Sequence, residues 1–554
     1  MPTGAELLIR TICELGISEV FTLVGDHLNE LLLLMPQTGI RVIDMRHESG
    51  VTHAADAWAR IQRRPAISIV TGGPGHTNSL TGIAAASLAC SPLIAISGAR
   101  PSNLAERGAF QDIDQVGMAR PIVKWAAQPP SPSLIPFYLG RAWAEANSGR
   151  KGPVHLTIPL DVLTGITDHS VSASPVQEST EPQPDSSQIG KALSVLRAAE
   201  RPVVIAGAGV WWASAESELR DFIERASLPL YTISMARGMV SDDHPLSMGY
   251  ADPALNRAAH QAFLEADVVL VLGKRLDHRL GMAGTHIFSS GARFIQVDIH
   301  PQELGLNRNL AVSLCAGVKA TLRAFLAEVG ATPWAPLPWL KRLQLLRREW
   351  AEMLRADAQQ SGMPLHPASF FAELKKFLPT NTLYAWDGGD FVHWGRCILP
   401  ALRSGGWMRL GPLGAIGSAL PNCLALKLAH PNDPVMLFIG DGSLGFYLAE
   451  LDTAVRHGLP VIVVVGNDSG WGLERELQNA SGGAPVACEL RRTRYEMIMR
   501  GFGGEGEVVN DVAHVRPAIE RALQSHVPYC LNVLIRGSRS PFTDWQVAAR
   551  KVKS

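Results

Sequence analysis

Short apolar runs, each opening into a turn and followed by a helical stretch, recur along the whole chain. Segments 20–24, 42–44, 66–71 and 93–97 read as strands, with helical stretches between them, including 51–61. The pattern returns at 202–206, 268–272 and 293–297, and again at 382–385, 435–439, 460–465 and 529–535. Strands alternating with helices form a parallel sheet, so the fold class is α/β. The 554 residues exceed what one hydrophobic core usually holds. The chain is therefore read as three doubly wound α/β domains, at 1–165, 190–330 and 365–554. From about 161 to 190 the composition turns to Ser, Pro, Gln and Glu with no apolar period, as in an exposed linker. A Pro/Trp-rich stretch at 332–339 and a charged helix through Arg355 lead into the third domain. The chain opens on an amphipathic helix with Ala5, Leu8, Ile9, Ile12 and Cys13 on one face, ended by Gly16.

Lys+Arg and Asp+Glu both number 51, so no net charge draws the chain to nucleic acid or an acidic membrane. The seven cysteines are scattered with no CxxC pair, which argues against zinc and a redox dithiol. A dispersed, odd set suits a reducing cytoplasm. The N-terminus lacks a basic start and apolar run, and no apolar stretch is long enough to span a bilayer. A cytoplasmic protein without membrane or nucleic-acid partners is expected.

The most specific segment is "GDGSLGFYLAELDTAVRHGLPVIVVVGNDSGWG", 440–472. Gly440, Gly442 and Gly445 satisfy GxGxxG after a strand, the dinucleotide fingerprint. Asp441 argues against that reading, because a carboxylate in the turn repels a pyrophosphate unless a cation lies between them. A second oxygen-rich turn, Asn467-Asp468, follows the next strand. Asp441 and Asp468 stand 27 positions apart, enough for one helix and one strand to bring the chain back to the same sheet edge. Two side-chain oxygens, a backbone carbonyl, two phosphate oxygens and a water make an octahedral Mg²⁺ site. Two ordinary turn aspartates are the plain alternative.

This block resembles the thiamine diphosphate (ThDP) binding motif, GDG followed by an Asn-rich turn. The resemblance implies metal ligation by the side chains of Asp441 and Asp468 and the carbonyl of Gly470, with Gly440, Gly442 and Ser443 at the diphosphate. The family usually has Asn where Asp468 stands. "RHESGVTHAADAWAR" resembles the family's glutamate region, which makes Glu48 the carboxyl that activates the cofactor pyrimidine. On its own, a Glu there also complements a helix dipole. "TGGPGHTN" implies close backbone approach by Gly73, Pro74 and Gly75. "DGGDF" matches a loop beside the diphosphate, which brings in Gly389 and Asp390. "GPLGAIGSALPN" implies the other wall, with Gly414 and with Ile416 beneath the thiazolium; a core isoleucine is the alternative. In this family the glutamate and the metal come from different subunits, so a homodimer or homotetramer with interfacial active sites is expected.

The resemblance covers nearly the whole chain. It is strongest to the acetolactate-synthase-like group, and within it to 2-hydroxyacyl-CoA lyase and benzaldehyde lyase. "GDHLNE" places His27, and "FQDIDQV" places Gln111, at active-site positions of benzaldehyde lyase. A turn histidine and a surface glutamine are the plain readings. "GWGLERE" implies that Trp471, Leu473 and Glu474 face substrate, Glu474 as base for a 2-hydroxyl group or as a solvent-facing helix residue. Acetolactate synthases carry "GQHQMW" where this chain has "GGDFVHW".

In the central domain, "GKRLDHRLG" puts Lys274, Arg275, His278 and Arg279 on a loop after a strand, and Asp298 ends a later strand. A basic loop with an acidic strand end is nucleotide chemistry, and relatives hold FAD, ADP or part of coenzyme A here. A solvated basic loop is the alternative. The tail residues Arg550, Lys551 and Lys553 are candidates for CoA phosphates or a frayed end. The expected activity is a ThDP- and Mg²⁺-dependent lyase/carboligase of the 2-hydroxyacyl-CoA lyase type acting on a small molecule. The alternatives are an acetolactate-synthase-like decarboxylating carboligase and a benzaldehyde-lyase-like acyloin lyase.

Overall fold

The computed structural model describes residues 1–169, 181–360 and 362–551. Three six-stranded sheets, each parallel throughout, follow one another along the chain. The first comprises β1 (Glu19–Thr22), β2 (Arg41–Asp44), β3 (Ala66–Val70), β4 (Leu93–Ala99), β5 (Trp125–Ala127) and β6 (Val154–Pro159). The second comprises β7 (Pro202–Ala206), β8 (Leu230–Thr232), β9 (Ser247–Tyr250), β10 (Val268–Leu272), β11 (Arg293–Asp298) and β12 (Leu310–Cys315). The third comprises β13 (Leu383–Trp386), β14 (Trp407–Arg409), β15 (Val435–Gly440), β16 (Ile462–Asn467), β17 (Glu505–Val509) and β18 (Tyr529–Leu534).

The strands bury both faces, with a period of two. In the first sheet Val20, Ile67, Ile69, Ile94 and Ile96 pack on one side, while Phe21, Val70 and Ala95 pack on the other. In the third sheet Met436, Phe438, Ile462 and Val464 alternate in the same way with Leu437, Ile439, Val463 and Val465. Burial on both sides is why these strands read as continuous apolar runs. One core cluster draws residues from all three sheets, so the units share a continuous interior. The floor below β13 and β15 is aromatic: Trp386 stacks on Phe438 with centroids 4.6 Å apart. Such a pair adds about 1 kcal/mol beyond its buried area.

The first sheet runs β2-β1-β3-β4-β6-β5, and the third runs β14-β13-β15-β16-β18-β17, the same order. The central sheet runs β12-β11-β10-β7-β8-β9, the dinucleotide-fold order read from its other edge. In the central sheet the connection reverses direction once, and in the first and third it reverses near the start and again at the far edge; the first reversal in each opens a crevice at the strand C-termini. That crevice lies between β1 and β3, between β7 and β10, and between β13 and β15.

The opening helix spans Gly4–Glu14 and starts on a Thr3/Glu6 capping box. The helix expected at 51–61 starts earlier, at Glu48, where His47 accepts the Ser49 N–H. Its small residues Ala54, Ala55, Ala57 and Ala59 are buried, and it packs on the third unit's helix Ala419–Ala429. The charged helix spans Trp339–Ala358. Of the expected linker, 170–180 lies outside the described residues, as do the Lys551 side chain and Lys553. Among the described residues, no helix is long and apolar enough to cross a membrane.

Candidate active site

A cavity of about 240 Å³ opens at the C-terminal ends of β13, β15, β16 and β18. Gly389, Asp390, Ile416, Gly440, Asp441, Gly442, Ser443, Asp468, Gly470, Trp471 and Glu474 all line it. The sequence named these residues from separate stretches, and the fold brings them together. Gly414 is placed differently: it lines a neighbouring cavity with Gly411, His278 and Arg279.

Asp441 is buried, and one carboxylate oxygen accepts the N–H of Gly470 at 3.1 Å. Burial raises its pKa to about 7, and the charge of Asp468 pushes the same way. Asp468 is raised too, by burial, with Arg475 opposing the shift. Two desolvated carboxylates facing one another are relieved by a cation. Among the described residues no group of three or more His, Cys, Asp or Glu comes together as a metal site. A cation here must complete its shell with backbone, water or ligand oxygens, which suits Mg²⁺ and a diphosphate. The donor set therefore fits the group.

Arg475 answers the charge that Asp468 adds. Its guanidinium donates to Asp468 at 2.6 Å and lies 3.4 Å from Glu489. Gly470 and Gly537 leave the room: a Cβ on either would come within 2.8 Å of that guanidinium. Nothing in the sequence marked Arg475, because the contact depends on how two distant turns meet. Gly442 is needed for a similar reason, since a Cβ there would lie 2.8 Å from the Trp471 ring.

Asp387 was noted in the sequence only as part of its loop. It is fully buried and accepts the N–H groups of Gly388, Gly417 (2.9 Å) and Ala419 (3.2 Å). These bonds tie the turn after β13 to the loop carrying Ile416. Asp390 accepts from Thr543 at 2.6 Å and from the Ser540 N–H, so it also anchors the last helix. Glu474 is exposed in the first turn of helix Gly472–Ala480, at the cavity rim.

The first unit builds a second constellation at its own crevice. Asn78 donates to one oxygen of Glu48 at 2.9 Å, and a Cβ on Gly75 would sit 3.6 Å from the other. Gly73 adopts φ 60° and donates its N–H to Gln115 at 3.0 Å. Gln111 lies against Gly73 and itself holds a left-handed φ of 59°. His27 Nδ1 meets the Thr71 hydroxyl at 2.8 Å and accepts the Gly72 N–H at 3.3 Å. With Nδ1 accepting, the neutral ring carries its proton on Nε2. Burial lowers the His27 pKa, against the charge of Asp26, which keeps that neutral form. Glu48, His27, Gln111 and Gly73–Gly75 are therefore neighbours, yet none lines the third unit's cavity. Within one chain the two constellations are separate, although Ser49 bonds Tyr447 (2.8 Å) and Arg46 pairs with Asp452.

The central loop divides between two cavities. Lys274, Arg275 and Asp298 line a crevice of about 140 Å³ at the β7/β10 reversal. Lys274 is held there by Asp277, and Arg275 donates to the Leu88 carbonyl. His278 and Arg279 instead line a cavity of about 590 Å³ with His286, Arg550 and the 411–414 loop.

Comparison with known proteins matches three family models. "Thiamine pyrophosphate enzyme, N-terminal TPP binding domain" covers residues 2–118, the central domain 189–325, and the C-terminal TPP binding domain 387–533. The chain is 35% identical to the acetolactate synthase large subunit IlvG of Mycobacterium tuberculosis, over 96% of this chain and 95% of that protein. It is 30% identical to 2-hydroxyacyl-CoA lyase 1 of Mus musculus, over 96% and 94%. Oxalyl-CoA decarboxylase of Escherichia coli is 28% identical, over 97% and 95%.

Proposed function

The chain belongs to the thiamine pyrophosphate enzyme family, and on that premise we propose that this carbon–carbon lyase/carboligase is of the 2-hydroxyacyl-CoA lyase type. The reaction converts a 2-hydroxyacyl-CoA to an aldehyde or ketone plus formyl-CoA, reversibly. The observation that carries this reading is the cavity of about 590 Å³ beside the 411–414 loop. His278, Arg279, His286 and Arg550 line it against the single carboxylate of Asp252, as phosphates of an acyl-CoA would require. The crevice with Lys274, Arg275 and Asp298 lies at the topological switch point, a position that suits the nucleotide of an ADP, FAD or CoA ligand.

When bound, ThDP supplies the electron sink for breaking a bond next to a carbonyl carbon. Asp441, Asp468 and the Gly470 carbonyl would hold Mg²⁺ at the diphosphate, with Gly440, Gly442 and Ser443 alongside. Glu48 would hold a proton at the pyrimidine with the oxygen that Asn78 leaves free. His27, through its Nε2 proton, and Gln111 would orient the substrate oxygen. Glu474 would take the 2-hydroxyl proton.

One chain carries two half-sites, which supports an active site formed by two chains. Large apolar residues stand exposed beside both halves: Phe110 at 79% next to Gln111, and Phe446 at 58% against Trp471.

The test offers a 2-hydroxyacyl-CoA and pyruvate in parallel to protein loaded with ThDP and Mg²⁺. Aldehyde or ketone plus formyl-CoA from the first substrate supports the reading. Acetolactate and CO₂ from pyruvate alone would overturn it in favour of the synthase reading, which the 35% identity to the mycobacterial protein supports.

A further inference from the structure

A cavity of about 460 Å³ lies between the central and third units and shares no residue with the cavity of the candidate active site. Its wall combines Arg237, Arg347, Arg355, Lys375, Lys376 and Arg396 with one carboxylate, Asp242. That carboxylate is already taken by Arg237, and Lys376 pairs with Glu373 outside the lining. Arg347 donates to the backbone carbonyls of Asp242 and Ser247 at 2.7 and 2.8 Å. Among the described residues, Arg347, Arg355 and Lys375 have no carboxylate within ion-pair distance.

Arg396 is the more telling group. It is 2% exposed, and it shares Asp252 with Arg279 at 3.6 and 3.4 Å. One of its nitrogens donates to the Tyr250 hydroxyl, but Nε and Nη1 have no partner. A buried guanidinium with unmet donors is costly, and such a group marks a place where a ligand is missing. Two helix C-termini also end at this wall, those of Pro367–Leu374 and Asp390–Ile398. Each contributes about half a negative charge, which leaves an excess of about two positive charges. Trp350 and Leu354 add an apolar side.

We propose that this cavity is a binding site for a small organic anion carrying one phosphate group. Guanidinium forks match phosphate oxygens, and the excess matches one such group, which carries about −1.5 to −2 at neutral pH. The helix Asp390–Ile398 joins this site to the active-site cavity, with Asp390 at one end and Arg396 near the other.

Fructose 6-phosphate is a suitable probe, because it has no base to compete for the central crevice. It would be titrated calorimetrically into protein saturated with ThDP and Mg²⁺. Saturable binding is expected, weakened about tenfold or more in the double variant Arg355→Gln, Lys375→Gln and in Ala372→Glu, which adds a carboxylate to the same wall. Arg275→Gln, in the central crevice, is expected to leave binding unchanged. Fructose, which has no phosphate, is expected to bind at least about tenfold more weakly. Absence of binding, equal affinity in the wall variants, loss of binding in Arg275→Gln, or equal affinity for the two sugars would each overturn the proposal.

Discussion

The first and third sheets have the same strand order, and each opens a crevice where its chain reverses, yet the two crevices carry opposite chemistry. In the third unit the turns after β15 and β16 deliver Asp441 and Asp468, and the site is dominated by repulsion that a cation relieves. In the first unit the segments after β1, β2 and β4 deliver a neutral imidazole, one carboxylate and glutamine amides, and the segment after β3 delivers the Asn78 that bonds the carboxylate. Topology therefore fixes where a ligand can lie, and a few turn residues decide which end of it is recognised. Charge suits the diphosphate and its metal. A neutral, hydrogen-bonding wall suits a pyrimidine and a proton that must move.

If that division holds, disabling each half has a different signature. Glu48→Gln keeps the shape of the first crevice and removes its carboxylate. Turnover is expected to fall about 10²–10⁴-fold, with ThDP binding intact by fluorescence titration. Asp441→Asn is expected to lower Mg²⁺ affinity about hundredfold and to take ThDP binding with it. Loss of ThDP binding in Glu48→Gln, or its retention in Asp441→Asn, would break the comparison. Mixing the two inactive variants sharpens it. Randomly mixed dimers in which each site draws on both chains are expected to recover about a quarter of the wild-type activity. Mixtures that stay inactive would place a whole site in one chain.

The pH response should also separate the halves. Asp441 is raised to about 7 in the metal-free protein, so it binds a proton more tightly folded than unfolded. Its contribution to metal-free stability is present below the ordinary carboxylate range and is lost as pH rises towards about 7. The same proton competes with the metal. Mg²⁺ affinity is therefore expected to fall about tenfold per pH unit below 7, as followed by Mn²⁺ electron paramagnetic resonance. Asp441→Asn should flatten that slope to what Asp468 contributes, and Glu48→Gln should leave it.

The interior strands were legible because they are apolar on both faces: β3, β7, β10, β15 and β18 fall within one residue of where the sequence placed them. β16 starts two residues later than expected, because Pro460 and Val461 still belong to the connection from the preceding helix. The short strands β5, β8 and β14, each three residues long, carry too few residues for any alternation to show. At the site, residues adjacent to strand ends were legible, since a glycine-rich or acidic turn after a buried strand is a local pattern. Contacts made across turns were not. Gly414 faces the neighbouring cavity because the loop bends away between it and Ile416, and the basic central loop splits between two cavities. Gln115, which holds the Gly73 turn from 42 positions away, had no local mark either.

Arg475 gives the smallest expected effect and the finest test of what distinguishes the two crevices. If the third unit is governed by charge, the metal-free protein needs this guanidinium to offset Asp468. The pair is largely buried, at 16% and 11% side-chain exposure, so solvent screens it little. Arg475→Gln is expected to cost about 1–2 kcal/mol in metal-free stability by urea titration. The same substitution in an Asp468→Asn background is expected to cost much less, because the charge it answers has gone. Saturating Mg²⁺ and ThDP should shrink the difference as well, since the cation then takes over the same offset. Equal costs in both backgrounds would mean that Arg475 acts through its packing against Gly470 and Gly537. The charge on Asp468 would then be balanced elsewhere in the turn.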